Sequence, residues 1–397
     1  MRIAVISDWF AEQTGYAENC LPKALASLGH EVHLLTSNVQ PYFNSPAYAQ
    51  TYERFLGPPI VECVTKDLDG YTLHRLPYKS WRGRLHIQGL LQTLVRLRPD
   101  VVQTFDIHTP STYLSILGSF PAGYKVFLEA HTHASVFESD AGSRRWKRRV
   151  SLWIYRNIVG SLVSHRSEKC YPISPDAADI AVRHFGIQRS KIEVVSLGVD
   201  TNVFRPPATQ AELEQRSALR SALGFADDDV VCVYSGRFSD DKNPLCLARA
   251  IDRLVAGGFR YRGLFVGNGP QEKMIRACAG CVVHDFVPFK ELPRFYHAAE
   301  IGVWPRQEST SQLDAAACGL PVILSHTITV RERVEGNGLL YEEDNEADLA
   351  SRLRELHDPV TRRRLGNHGA AKVRNKFSWD VVARKRIEDF RTALGHK

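Results

Sequence analysis

Strand and helix signals alternate along nearly the whole chain, and this constrains the fold more than any other feature. "RIAVIS" reads as a strand, "NCLPKALASLGH" as a helix ended by Gly29, and "EVHLLTS" as the next strand. "RPDVVQTF" and "KVFLEAH" continue the rhythm. Strands separated by helices and short loops predict parallel sheets with helices on both faces. The rhythm breaks over residues 201–227, a polar stretch with Pro206 and Pro207 and no strand signal, and an interdomain linker is expected there. A second series then starts at "VVCVYSG" and runs through "YRGLFVGNG", "CVVHDFVP", "EIGVWP" and "LPVILSH". The end, "FSWDVVARKRIEDFRTALGHK", reads as one amphipathic helix. A chain of 397 residues can bury two separate cores. The expected fold class is therefore α/β, with two doubly wound parallel-sheet domains and a ligand crevice at the carboxyl ends of their strands.

Composition narrows the function classes. No run of about 20 apolar residues is present, so no membrane span is expected. "MRIAVISDWF" reads as a first strand rather than a signal peptide. The eight cysteines are scattered and look like small buried residues of a reducing compartment. Cys278 and Cys281 form a CxxC without a second pair at zinc spacing, which points to packing. A net charge of +7 favours an anionic partner, whether nucleotide, phospholipid or nucleic acid. Nothing resembles a helix-turn-helix, a zinc finger or an RNA-binding fingerprint, which argues against nucleic acid.

The candidate chemistry lies in a few loops. In "WPRQESTSQLDAAACGLPVILS", Ser309 is placed to cap a short helix, with Gln312 completing a capping box. Gly319 would end that helix and Pro321 bar its continuation. Its free N–H groups, with the hydroxyls of Ser309, Thr310 and Ser311, suit a diphosphate or a sugar hydroxyl. Asp314 stands one turn beyond Thr310, where a carboxylate fits two adjacent ribose hydroxyls; the plainer reading is a solvated Asp. "YSGRFSDDKNP" puts Arg237 just past a strand and Lys242 five residues on, either to grip one phosphate pair or to remain surface cations. Gly267 and Gly269 in "FVGNGP" would let backbone approach a planar base. Gly15, followed by Tyr16, lies in the first strand-to-helix loop, and His131 and His133 follow a later strand. The two histidines have no third ligand at convincing spacing, so no metal is expected. "SRRWKRRVSLWIYR" sets Arg144, Arg145, Lys147, Arg148 and Arg149 beside Trp146, Trp153 and Tyr155. Such a basic aromatic helix suits an anionic membrane surface, or else is a solvated helix whose aromatics pack inward.

"GRFSDDK", "FVGNGP", "QESTSQLDAAACGLPVI", "LGVDTNVF" and "LGHEV" together resemble the retaining glycosyltransferases of the GT-B fold, family 4, also called glycosyl transferases group 1. The resemblance implies two Rossmann-like domains facing across a cleft: residues 1–203 for the acceptor and 204–376 for the donor, with a helix over 377–397 crossing back to the first. It implies a nucleotide diphosphate sugar of UDP or GDP type as co-substrate, no cofactor and no metal. Arg237 and Lys242 match the diphosphate pair, Asp314 the second acid of a twin-acid motif, Gly15 the glycine-rich loop, and His131 a histidine near the donor sugar. Gly236, Gly267, Asn268, Gly269, Phe286, Val287, Ser309, Thr310 and Ser311 fall among the donor contacts. The first motif acid should stand eight residues before the second, where this chain has Arg306. Either Glu308, six residues before Asp314, takes the role through a shortened loop, or the sugar is held by Ser309 to Ser311 and Arg306 as donor contacts. No residue is assigned as a nucleophile. The acceptor would be a glycan or a lipid-linked sugar of cell-surface polysaccharide or glycolipid synthesis, met by Tyr16 and the basic run. The expected location is cytoplasmic, peripheral on the inner face of the membrane. Two other readings stay open: a non-hydrolysing nucleotide-sugar epimerase, which needs extra acids in the cleft, and a binding protein that has lost transfer.

Overall fold

A computed structural model describes residues 1–81, 83–132, 153 and 155–395. The chain forms two compact units, one of Met1–Leu197 with Trp379–Lys397 and the other of Gly198–Ser378.

The first unit holds β1 (Arg2–Ser7), β2 (Glu31–Ser37), β3 (Thr65–Leu68), β4 (Tyr71–Leu76), β5 (Tyr78–Trp81), β6 (Arg84–Ile87), β7 (Val101–Phe105), β8 (Lys125–Ala130) and β9 (Ser167–Pro172). Its seven-stranded sheet runs β3-β4-β2-β1-β7-β8-β9, while β5 and β6 form a separate antiparallel ribbon. β1 can be almost wholly apolar because helices cover both faces of a parallel sheet; Ile3 to Ile6 are buried. One edge departs from the expected all-parallel pattern: β3 pairs antiparallel with β4. The cause is local. Asp69 and Gly70, at φ 47° and 89°, form the two-residue left-handed turn that joins hairpin strands. The sheet order reverses between β1 and β7, so the loops leaving those strands bound the switch point.

The second unit holds β10 (Val230–Ser235), β11 (Tyr261–Val266), β12 (Cys281–His284), β13 (Ile301–Trp304), β14 (Val322–Ser325) and β15 (Gly338–Tyr341). They run β12-β11-β10-β13-β14-β15, every neighbouring pair parallel, with the switch point between β10 and β13. Both units are thus doubly wound, as the alternating pattern predicts.

The polar stretch around residue 210 is not a loose linker. Gln210–Ala222 is a helix, closed by a reciprocal capping box between Thr209 and Glu212. Its Arg220 is buried and donates to Glu300 at 3.0 Å, tying the helix to the start of β13. The division of the chain falls between Leu197 and Gly198 instead of after residue 203, because Phe204 is buried in the second core and Val199 donates its N–H to Phe377 O at 2.7 Å. The return falls between Ser378 and Trp379 instead of after residue 376, since Phe377 also packs in the second core. The last helix, Trp379–Leu394, belongs to the first unit, where Phe390 packs on Phe127 with ring centroids 4.6 Å apart. No helix among the described residues is long and apolar enough to cross a membrane.

Candidate functional site

The loops at the carboxyl ends of β10 and β11 are built on each other. Phe238 N donates to Asn268 O at 2.8 Å, and Gln271 N to Phe238 O at 3.0 Å. Gly267 and Gly269 both sit at φ 148°. A Cβ on Gly267 would lie 1.9 Å from Gly236 O, and one on Gly269 would lie 2.7 Å from Phe238 O. The space their missing side chains leave is therefore taken by the neighbouring loop. Asn268 Nδ2 donates to Asp285 Oδ1 at 3.2 Å, and the same oxygen accepts Phe286 N at 2.8 Å. Asn268, Phe286 and Val287 are so gathered where β11 and β12 end.

The two cations sit on the β10 side of the switch point. Arg237 is half exposed, with Asp241 at 3.6 Å. Lys242 is partly buried, and its Nζ donates to Glu308 O at 3.2 Å, across to the loop after β13. Burial lowers the Lys242 pKa; Asp241 opposes this, while Arg237 and Arg333 add to it. A lysine with two cations close enough to be felt gains from an anion placed among them. The first turn of the helix Thr310–Ala317 adjoins the same place: Ser311 Oγ donates to Ser235 O at 3.4 Å, and Trp304 Nε1 donates to the same oxygen at 3.2 Å.

The capping box expected there is absent. Ser309 occupies the N-cap position with extended backbone, but its Oγ lies 2.7 Å from Ser311 Oγ and caps no N–H. Gln312 Nε2 donates to Gln307 O at 3.0 Å instead of reaching back to the cap. Gln307 at φ 47° turns the loop so that its carbonyl meets this amide. Sequence reading also missed Arg333, a buried cation whose Nη1 donates to Ser309 O at 2.9 Å. It lies in "VRERVEG", where no motif or periodicity marks it.

The acids divide by role. Asp314 is 8% exposed, and burial pushes its carboxyl well above the usual range, with Arg333 opposing. Glu308 Oε1 accepts from Thr329 N, Thr329 Oγ1 and Val330 N, each at 2.8 Å, so this oxygen anchors the 329–330 loop. Burial favours its neutral form, but the Val330 amide, Arg333 and Thr329 prevail and the pKa falls. Arg306 pairs with Asp344 and donates to Asp240 O at 2.9 Å, so its guanidinium is spent on neighbouring loops.

In the first unit, Gly15 O accepts a weak Cys20 Sγ contact at 3.6 Å, and Tyr16, partly exposed, precedes the helix Ala17–Ser27. His131 follows β8, and its Nε2 lies 2.7 Å from Glu129 Oε2. Burial alone would lower the His131 pKa, yet the Glu129 hydrogen bond and the charges of Glu129, Asp106 and Glu18 raise it. Glu18 is pushed up to about 7, and Asp8 to about 6, both chiefly by burial. His133, Arg144, Arg145, Trp146, Lys147, Arg148 and Arg149 lie outside the described residues. Among the described residues no group of acids, histidines and cysteines has the arrangement of a metal site.

A family model described as Glycosyltransferase Family 4 matches residues 21–203, and one described as Glycosyl transferases group 1 matches residues 229–358. A D-inositol 3-phosphate glycosyltransferase of Streptomyces bingchenggensis is 30% identical over 241 residues, 55% of this chain and 51% of that protein. A GDP-mannose-dependent monoacylated alpha-(1-6)-phosphatidylinositol monomannoside mannosyltransferase of Corynebacterium glutamicum is 29% identical over 205 residues, 47% of this chain and 53% of that one. The chain spans about half the length of the curated relatives it matches. In fold it is similar to sucrose-phosphate synthase from Thermosynechococcus elongatus, with TM-score 0.66, 19% identity and 99% of both chains covered. Anabaena HepE in complex with UDP gives TM-score 0.68 at 16% identity, covering 99% of this chain and all of that one. Two parallel-sheet Rossmann-like units and two matched family models agree: the chain belongs to the family 4, group 1 glycosyltransferases and has the GT-B fold.

Proposed function

We propose that this chain is a retaining, metal-independent glycosyltransferase that moves a sugar from a UDP- or GDP-sugar to a glycan or lipid-linked acceptor. The observation that carries the reading is the meeting, at the switch point of the second unit, of Arg237, Lys242 and a helix whose first turn has no side-chain cap. Uncapped amides and two cations suit a diphosphate. They would stabilise the negative charge that grows on it as the sugar leaves, a contribution that is largest where the groups are already oriented. Asp314, one turn inside the helix and disfavoured as a bare carboxylate, would gain from the hydroxyls of a ribose. Retention would follow if the leaving phosphate guides the acceptor in on the same face, with His131 beside the sugar. An HepE structure holds UDP, and a relative is named for GDP-mannose, which supports either base.

The relatives' names point to an inositol phosphate and to a mannosylated phosphatidylinositol, which favours a polyol or lipid-linked acceptor. A peripheral place on the inner face of the membrane, with the run over 143–156 against anionic lipid, belongs to the same reading. Trp153, in the run, is 65% exposed; Arg156 at its end is exposed, and Ile158, two residues past it, is 63% exposed.

One observation favours a second reading, a nucleotide-sugar binding protein without transfer. Arg306 replaces the first motif acid and is tied to Asp344, while Glu308 Oε1 is tied to the 329–330 loop. Thermal shift with UDP, GDP, UDP-glucose and GDP-mannose, followed by donor turnover with inositol phosphate and with phosphatidylinositol mannoside, separates the two. Stabilisation with turnover is expected; stabilisation without turnover of any donor would leave the binding protein, and no stabilisation by any nucleotide would remove both.

A further inference from the structure

The last helix carries one cation into the interior of the first unit, beside a histidine far away in sequence. Arg386 is 2% exposed, and its guanidinium lies over the Tyr171 ring, 3.1 Å from the centroid. Its Nη2 donates to Glu129 Oε1 at 3.4 Å. Its Nε and Nη1 have no hydrogen-bond acceptor among the described residues. Glu129, also almost wholly buried, uses its other oxygen, Oε2, to accept from His131 Nε2 at 2.7 Å. The helix is itself pinned to β9: Asp389 accepts from Tyr171 Oη at 2.7 Å and from Lys169 Nζ at 2.9 Å. A guanidinium this deep is costly unless a carboxylate answers it. The Tyr171 ring face attracts the same charge, but Glu129 is the counter-ion it meets.

We propose that Arg386 is a positioning residue: through Glu129 it fixes the His131 ring with Nε2–H donated inward to the carboxylate, so that the Nδ1 edge is the one presented to the substrate. The proposal rests on the reading that His131 meets the transferred sugar. A guanidinium on one carboxylate oxygen fixes the carboxylate, and a carboxylate hydrogen-bonded to one ring nitrogen favours the imidazolium and sets the ring's orientation. The other groups around His131 cannot replace it. Glu18, on the first helix, is pushed by burial up to about 7, and burial raises Asp106, after β7, as well, so both hold a negative charge less firmly than an ordinary acid. Cys170 and Tyr171 on β9 are held neutral by burial. Phe105 offers only a ring edge, 5.7 Å between centroids.

The test titrates the ring-labelled histidines of the full chain by NMR, with His131→Asn assigning the resonance, beside pH profiles of donor turnover. Arg386→Met and Glu129→Gln should each lower the His131 pKa by about one unit or more. Arg386→Met should move the alkaline limb of turnover down by the same amount, and Arg386→Lys should restore most of it. The double variant E129Q/R386M leaves no lone buried ion and should match E129Q alone, which keeps the test usable if R386M folds poorly. An unchanged His131 pKa in both single variants, or a double variant that titrates like wild type, would overturn the relay. A lowered pKa together with a fully active His131→Asn would keep the relay and remove the functional reading beneath it.

Discussion

Arg237 and Lys242 share the loop after β10, and Lys242 Nζ reaches the loop after β13 by donating to Glu308 O at 3.2 Å. Their replacement is the sharpest residue-scale prediction. Arg237→Ala or Lys242→Ala should each cost on the order of 2–4 kcal/mol of transition-state stabilisation, read as a fall in kcat/KM. Arg306→Ala, which removes a partly exposed pair with Asp344, should change stability by less than about 1 kcal/mol and leave donor turnover near wild type. Equal losses at all three positions would show that the fall reflects general disturbance, not phosphate contact. Other roles could not be read in advance. Arg333 reaches Ser309 O through a turn with no sequence signature, and Arg386 meets Glu129 across 257 residues. Contacts set by tertiary packing leave no local trace.

At the scale of single elements, strand and helix existence followed the apolar rhythm, while their ends depended on side chains that found other partners. Ser309 has the chemistry and position of a cap but turns to Ser311, which leaves the first turn of its helix open. A true cap loses about 1 kcal/mol when changed to alanine. Ser309→Ala should instead shift the unfolding free energy by no more than about 0.5 kcal/mol in urea melts. The edge hairpin was legible in principle, since Asp69-Gly70 is a strong two-residue turn signal. Its partner strands also hold a buried pair: His33 Nδ1 on β2 lies 3.1 Å from His74 Nε2 on β4. Burial, with His33 nearby, lowers the His74 pKa to about 4. The unfolded chain, with an ordinary pKa of about 6.5, then takes up a proton before the folded chain does. Stability should be level above that pH and fall as pH drops from about 6.5 to about 4, by on the order of 2–3 kcal/mol. Urea melts across that window check the sign, and His74→Gln should flatten the slope; a slope unchanged in the variant would assign the acid sensitivity elsewhere.

The whole molecule is organised by where the chain leaves the first unit and returns. Sequence alone found the two sheets but set the division inside a helix-bearing stretch, because proline and polarity look alike in a linker and in a capped helix. The structure places both crossings side by side: Val199 and Ser378 form an isolated bridge, and Val199 N donates to Phe377 O at 2.7 Å. The second unit is therefore one continuous segment inserted into the first, and adjacent ends make such segments separable. Residues 198–378 expressed alone should unfold cooperatively and, on the functional reading above, keep the nucleotide-induced rise in melting temperature. Residues 1–197 alone should fail, because Trp379, Ala383, Ile387 and Phe390 of the last helix are buried and leave their apolar contacts exposed when removed. A short glycine-serine link from residue 197 to residue 379 should restore a folded first unit, since the bridge holds the two crossings close. Circular dichroism and melting curves of the three proteins decide the matter. A 1–197 fragment as stable as the linked protein would show that the last helix adds little to the first core, and would also weaken the case for Arg386 as a fixed support of His131.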